Sequence, residues 1–528
     1  MDEFDYVIVG GGSAGCVLAS RLSEDPNLKV CLLEAGGEGR GWGVKIPLGI
    51  MFTVPWPFIN WGFKTLPQPE LDFRRTYQPR GRVLGGSSAI NAMIYTRGHA
   101  SDYDAWGLPG WSYKEVLPYF KRAEGNARLG GEWHGQEGPL PVNDSYTGNP
   151  LQQVFLDAAR QAGFPQTDDF NGANQEGVGI YQVTQKEGER WSVARAYLHP
   201  VLSRPNLKVL TGARARRVLF AGSRASGVEY SRGGRIESVQ ARRDVILCAG
   251  AFQSPQLLML SGIGDAAELK RFGIPVLKHL PAAGEGLQDH LDITLIHRAN
   301  SADTLGGSPA GVLRLLRDAL RFRRERRGML TTNIAEAGGF LKSDPKLPMP
   351  DIQLHFCVAV VHNHGRTLRH LLHGYSLHAC ALRPRSRGRV SLASADPMAA
   401  PAIDPRYLSD AADLDVLKKG FKMARAILDA PAFAPYRRSE MFTAKAQTDA
   451  EIEAAIRARA ETIYHPAGTC RMGADAGAVV DAELKVKGVE ALRVVDASVM
   501  PRLIAGNTNA PTVMIAEKAA DLLRGTAS

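Results

Sequence analysis

The segment YHPAGTCRMG, residues 464–473, sets a histidine against a proline just ahead of a glycine-threonine turn. Pro466 fixes its own φ and biases His465 toward extended backbone, so the imidazole is displayed from a stiff turn and not from a helix face. Imidazole titrates near neutral pH, which suits it to draw off a hydroxyl proton. A turn histidine serves structure equally well, so its role depends on the rest of the chain. A second chemical signal opens the sequence. In FDYVIVGGGSAGCVLASRL a short apolar strand, Tyr6 to Val9, runs into Gly10, Gly12 and Gly15 in GxGxxG order and then into a helical run through Val17, Leu18 and Leu22. Gly10 permits the tight turn, Gly12 lets the backbone approach a pyrophosphate at the positive end of the helix, and Gly15 allows close helix packing. Nineteen residues after Gly15, the strand KVCLLEA ends in Glu34, placed to accept hydrogen bonds from a ribose. This strand-turn-helix-strand-acid order predicts a dinucleotide site, and an acid at the ribose argues against a 2′-phosphate.

SGIGDAAEL, Ser261 to Leu269, also spells a glycine fingerprint, but it follows the helix-like SPQLLML and not a strand. It therefore predicts no second nucleotide site. One fingerprint without a separate nicotinamide domain favours FAD over NAD. Three further segments agree. RGRVLGGSSAINAMIYTRG, Arg80 to Gly98, offers Gly85, Gly86 and two serines to a phosphate or flavin edge. A buried strand, Val245 to Cys248, leads through Ala249 to Ala251 into a helix entering at Ser254 and Pro255. LRVVDASVMP ends a strand in Asp496, and AGNTNAPTVMIAEKAADLL opens a helix with Pro511 near its first turn. The amide-rich start of that helix is suited to the flavin edge where negative charge appears on reduction.

The elements that must hold these residues fit in 528 residues, enough for two or three domains, and 44% hydrophobic with 22% charged residues is ordinary globular composition. The six cysteines are scattered without a CxxC pair, which predicts buried free thiols in a reducing compartment and no metal site. The start MDEFDYVIVG is acidic and runs straight into a strand, so no signal peptide is expected, and no apolar run is long enough to span a bilayer. A cytoplasmic location follows as the expectation. The formal net charge of +10 draws heavily on GVLRLLRDALRFRRERRG, where Val312, Leu313, Leu316 and Leu320 recur at helical spacing and Arg314, Arg317, Arg321 and Arg324 take another face. This basic amphipathic helix, 312–327, reads either as a solvated face over a local core or as a peripheral contact with an anionic membrane surface. No aromatic-interleaved basic patch or zinc-finger spacing supports nucleic acid. IPLGIMFTVPWPFINW is too broken by proline for a helix and reads as a loop, either a lid or an apolar contact surface.

Together these segments resemble the glucose-methanol-choline (GMC) oxidoreductases. The likeness runs through Gly81 to Gly98, Gly250 to Gly264, and His465 to Gly473 with the later NTNAPT, and it spans essentially the whole chain. QDHLDITL, RWSVARAYLHP and ETIYHPAGTCRMG are most similar to membrane-associated, FAD-dependent bacterial alcohol dehydrogenases of that family, with polyethylene-glycol and choline dehydrogenases as neighbours. The resemblance implies an α/β (α+β) fold, a Rossmann-like FAD-binding domain with a second domain of antiparallel sheet and helices. The expected division is 1–150, 195–295 and 465–528 for FAD, and 151–194 and 296–464 for substrate. NLKVLTGARARRVLFAGSRASGVEYSRGGRIESVQARR reads as strands of the first domain and ACALRPRSRGRVSLAS as strands of the second.

The resemblance also assigns roles. His465 would take the proton of a primary alcohol while hydride passes to flavin N5, with Asn509 as its partner. The implied FAD contacts are Gly10, Gly12, Ser13, Ala14, Gly15, Glu34, Ala35, Arg82, Gly85, Gly86, Ser87, Asn91, Met93, Val218, Ala249, Asp496, Ala497, Asn507, Thr508 and Asn509. Asn91 stands where some members attach flavin through a histidine, so FAD is expected to be non-covalent. Ile463 is expected to hinder oxygen, leaving a quinone or other acceptor to take the electrons. An oxygen-using oxidase, a choline dehydrogenase and a flavin-bearing hydroxynitrile lyase are the alternatives.

Overall fold

A computed structural model describes residues 2–525. Val7, Ile8, Val30, Cys31, Leu32, Val245, Ile246 and Leu247 are fully buried, as expected of parallel strands covered on both faces. They belong to a seven-stranded sheet in the order Leu207–Thr211, Val30–Glu34, Glu3–Val9, Arg235–Leu247, Arg224–Arg232, Arg214–Ala221, with Leu492–Val494 also on Arg235–Leu247. The long strand Arg235–Leu247 serves two pairings. Its first half runs antiparallel to Arg224–Arg232, and its last half runs parallel to Glu3–Val9 and Leu492–Val494. The helices Ser13–Leu22 and Asn509–Arg524 pack side by side over this sheet. Arg21 reaches Glu517 at 2.9 Å, Arg122 reaches it at 2.8 Å and the Tyr197 hydroxyl donates to it at 2.7 Å, so a fully buried carboxylate is paired from three sides.

A second seven-stranded sheet is antiparallel throughout, in the order Arg437–Met441, Leu291–Ala299, Gly374–Ala381, Ile352–Cys357, Ala335–Leu341, Gly177–Ile180, with Glu461–Thr462 also on Leu291–Ala299. The helix Ala411–Asp429 lays Leu414, Leu417, Phe421 and Ala424 on it, over Leu354, Phe356 and Leu377. The observed architecture is thus the expected pairing of a nucleotide-binding α/β sheet with an antiparallel sheet and helices.

Several local expectations change. The strand Leu291–Ala299 crosses the 295/296 division and lies wholly in the second sheet, because its alternating apolar residues pair with Gly374–Ala381 along their length. Of ACALRPRSRGRVSLAS only the first residues join that sheet; Gly388–Ser391 pairs instead with Glu285–Leu287 and Ala402–Asp404 in a small sheet of its own. The helix after Cys248 starts at Gly250, ahead of Ser254 and Pro255, because the Asp496 carboxylate accepts from the Gly250 N–H at 2.8 Å and from Ser254 Oγ at 2.6 Å. The proline-broken stretch 46–61 holds two short turns, Pro47–Gly49 and Ile50–Thr53, and a third, Trp42–Lys45, precedes it. The arginine-rich helix spans Pro309–Glu325 and buries Gly311, Asp318 and Phe322, while its apolar row at Val312, Leu313, Leu316 and Leu320 faces outward. It covers no local core with those leucines. All six cysteines are buried and free. No helix among the described residues is long and apolar enough to cross a membrane.

Candidate active site

The glycine fingerprint folds as its spacing predicts. Gly10 has φ +106°, and a Cβ there would meet the Cys248 carbonyl oxygen at 2.5 Å. A Cβ on Gly15 would come within 1.9 Å of the Gly10 oxygen, so the helix can approach the strand only with glycine at that position. Gly12 is different: the nearest atom to its Cβ would be 3.9 Å away, so its backbone stands open to the cavity. Glu34 accepts from the Gly11 N–H at 2.8 Å and the Gly36 N–H at 2.7 Å, and burial pushes its carboxyl up to about 7.

One cavity runs past this fingerprint. Gly10, Gly12, Ser13, Ala14, Glu34 and Ala35 line one part of it, Gly86, Ser87, Asn91, Met93 and Ala249 another, and His465, Asp496, Ala497, Asn507, Thr508 and Asn509 the rest. Gly15, Arg82, Gly85 and Val218 do not line it. Gly15 and Gly85 shape the backbone around it, Gly85 through φ +92° and an N–H donated to the Gly11 oxygen at 2.7 Å. Arg82 lies over the Trp61 ring. Val218 is buried with its N–H on Ser261 Oγ, and the residues of that strand region lining the cavity are Ala213, Arg214 and Ala215. The set suits a dinucleotide flavin: an open glycine turn at a helix N-terminus, a carboxylate at the next strand end, and a second helix N-terminus at Thr508 and Asn509.

Asn91 is held by a buried cation. Arg190 Nη1 donates to the Asn91 carbonyl at 2.6 Å and to its side-chain oxygen at 2.9 Å, and burial lowers the guanidinium to about 9. Asn91 Oδ1 also accepts from the Met93 N–H, and Met93 takes a left-handed φ of +59°.

His465 is positioned by the second sheet as much as by its own turn. Glu461–Thr462 pairs with Leu291 and Asp292, the Ile463 N–H donates to the His290 oxygen, and Ala467 pairs with Gln288. Asp289 ties the two histidines together: one of its oxygens accepts from the His290 N–H at 3.0 Å and from the His465 N–H at 2.9 Å. Its other oxygen accepts from Tyr407 at 2.5 Å and Thr462 at 2.6 Å. Tyr464, just before His465, is pinned at φ +75°, a conformation costly for an aromatic residue.

The ring nitrogens form a chain whose proton positions follow from its ends. His290 Nε2 lies 3.0 Å from the Leu382 carbonyl oxygen, which can only accept, so that nitrogen carries a hydrogen. Burial lowers His290 to about 3 and keeps it neutral, leaving its Nδ1 an acceptor. His465 Nδ1, 2.9 Å away, is therefore the donor, and Nε2 of a neutral His465 is an acceptor. Burial, and then the neighbouring His290, hold His465 well below the usual histidine range.

The partner at that nitrogen is a correction. Asn507 Nδ2 lies 3.1 Å from His465 Nε2. Its orientation is set from behind, because Asn507 Oδ1 accepts from Gln353 Nε2 at 3.0 Å and from Thr96 Oγ1 at 3.3 Å. Asn509, the first residue of its helix, instead accepts from Ser13 Oγ at 2.7 Å and joins the two helix N-termini. Sequence reading missed Asn507 as the histidine's neighbour because Asn-Thr-Asn offers two candidates two residues apart. It missed His290 altogether, although QDHLDITL displayed it.

Ile90, Ala92, Ile94 and Ile463 line the cavity together with Tyr464 and Arg80, whose guanidinium donates to the Tyr464 carbonyl at 2.8 Å. The two carboxylates lining the cavity among the described residues, Glu34 and Asp496, are both engaged by backbone amides. Nearby, Asp292 is paired with His378, which that carboxylate raises to about 10 against the opposing effect of burial. Glu461 is paired with Arg74 and His364.

Comparison with known proteins converges with this geometry. A family profile described as GMC oxidoreductase matches residues 4–292, and a second with the same description matches 384–516. The chain is 50% identical over 527 residues to an alcohol dehydrogenase [acceptor] of Pseudomonas putida, covering 98% of this chain and 95% of that protein. It is 47% identical over 537 residues to the mitochondrial choline dehydrogenase of Mus musculus, covering 99% and 90%. Among solved structures it is similar to pyridoxine 4-oxidase from Mesorbium loti, with a TM-score of 0.88 at 33% identity over 98% of both chains. With the fingerprint, the two sheets and the histidine-asparagine pair in place, the chain belongs to the GMC oxidoreductase family.

Proposed function

We propose that the protein oxidises a neutral primary alcohol to its aldehyde and passes the electrons to a quinone or another acceptor that is not oxygen. Membership of the GMC family implies FAD, which supplies the hydride acceptor when bound. The observation that carries the reading is the pairing of one acceptor, His465 Nε2, with one donor, Asn507 Nδ2, at 3.1 Å on the wall of the cavity. A substrate hydroxyl placed there donates its proton to His465 while Asn507 donates to its oxygen, so charge building on that oxygen is stabilised as the carbon loses hydride. The proton arriving at His465 leaves Nδ1–H directed at neutral His290, and Asp289 keeps both rings in register. The positive end of the helix Asn509–Arg524 lies on the same cavity and favours negative charge there.

The isoleucines of the cavity, the Arg80 side chain that lines it, and the engagement of Asp289 by hydrogen bonds and of Asp292 and Glu461 by ion pairs support a neutral alcohol over a quaternary ammonium. Ile463 in that wall supports a narrow approach for oxygen, and Asn91, engaged by Arg190, supports FAD held without a covalent bond. The homologous P. putida protein is named for an alcohol and an acceptor, which agrees with this reading. A panel of straight-chain alcohols, polyethylene glycols and choline with an artificial electron acceptor tests it. Turnover should be highest with a neutral primary alcohol and low with choline. Preference for choline would overturn the substrate assignment, and a flavin that stays oxidised with every alcohol under anaerobic conditions would overturn the oxidation itself.

A further inference from the structure

A 17-residue helix that buries only two side chains, Asp318 and Phe322, and turns its leucines outward needs a second surface. Leu313, Leu316 and Leu320 of Pro309–Glu325 are 69%, 62% and 60% exposed. Two other segments extend the apolar surface. Leu371 accepts a backbone hydrogen bond from Gly307, just before the helix, and Leu368 beside it is 79% exposed. Gly365, in turn, lies against Pro55, in the segment whose Trp56 and Phe58 are 54% and 79% exposed. Scattered surface leucines need no explanation, but three adjoining segments of large apolar side chains mark an interaction surface.

Its charge identifies the partner. Residues 309–327 hold seven arginines against two acids. Asp318 and Glu325 are taken by Arg314 and Arg321, while Arg317, Arg323 and Arg324 form no ion pair among the described residues. A second copy of the chain would set these uncompensated arginines against their own kind, whereas acidic headgroups would neutralise them and acyl chains would take the leucines. We propose that this face docks on an anionic lipid bilayer, with the leucine row and Phe58 in the interface and the free arginines on the headgroups.

The docking surface also adjoins the cavity. Ile50 and Val54 line the cavity, while Phe52, between them in sequence, is exposed on the same short turn that leads to Trp56 and Phe58. Docking therefore turns that edge of the cavity toward the acyl chains, from which an apolar alcohol and a quinone could enter. This consequence rests on the function proposed above; the docking does not.

The test is co-sedimentation of the holoenzyme with phosphatidylcholine vesicles, with and without about one third phosphatidylglycerol, at low and high salt. Binding should be at least about tenfold stronger to the anionic vesicles at low salt and should fall as salt rises. The triple variant Arg317→Glu, Arg323→Glu, Arg324→Glu should lose that preference. The variant Leu313→Ser, Leu316→Ser, Leu320→Ser should bind both vesicles more weakly. Both should oxidise a water-soluble short alcohol as the unmodified enzyme does, which shows that they fold. Equal binding to the two vesicles, no binding, binding unchanged by the serine variant, or a dimer in solution that the serine variant dissociates would each overturn the proposal.

Discussion

At the residue scale the site depends on which asparagine faces His465. Asn507 is aimed at the ring by Gln353 and Thr96, whereas Asn509 is turned away to Ser13. Asn507→Ala should slow flavin reduction by alcohol about 10²- to 10³-fold, as loss of a donor to the reacting oxygen. Asn509→Ala should act mainly on FAD retention. Single-turnover reduction normalised to bound flavin separates the two, and a larger rate loss in Asn509→Ala would reverse the assignment. The histidine chain gives a pH expectation. Because burial depresses His465, the base stays neutral below the pH at which an exposed histidine would protonate. The reduction rate should therefore stay flat as pH falls from about 7 to about 6, while free imidazole would lose much of its base form there. A midpoint near 6.5 would contradict this. His465 itself was legible from its proline and turn, and the fingerprint glycines from their spacing. The place of Asn507 beside His465 and the part of His290 were not, because both arise from contacts between segments far apart in the chain.

At the scale of elements, the strand-turn-helix-strand unit that ends in Glu34 followed its sequence pattern closely. Glycines with no room for a Cβ leave the chain few alternatives. Removing Glu34 should weaken FAD retention, since a charge-assisted hydrogen bond to a ribose is worth about 1.5 to 3 kcal/mol. Glu34→Ala also frees the Gly11 and Gly36 amides, so FAD occupancy after dialysis is to be read beside the thermal unfolding midpoint. Unchanged occupancy would contradict the role. The element around Asn91 gives a chemical test: acid precipitation should release all flavin into the supernatant, and flavin kept in the pellet would show a covalent link. Sequence periodicity was weaker where one strand serves two environments. The edge strand Arg214–Ala221 lines the cavity only at its start, through Arg214 and Ala215, and Val218 is its one buried residue. The division at 295/296 cut through a strand because a continuous alternating pattern does not announce which sheet it joins.

At the scale of the whole molecule, two sheets of different kinds meet at one cavity, the first supplying the nucleotide cradle and the second the anchorage of His465. That combination was legible because several separated motifs each carried a local constraint. The outward leucine row of Pro309–Glu325 was not, because helical spacing gives the face but not what covers it. If Ile463 narrows the approach to the flavin, enzyme reduced by alcohol should be reoxidised much faster by a quinone than by air, with little peroxide formed. Rapid reoxidation in air would make the protein an oxidase. The most direct test of the proposed mechanism is anaerobic stopped-flow mixing of a medium-chain alcohol with the unmodified holoenzyme and with His465→Ala, following the visible flavin absorbance. His465→Ala should keep its FAD and fold yet be reduced about 10² to 10⁴ times more slowly. A rate per bound flavin close to that of the unmodified enzyme would contradict the account.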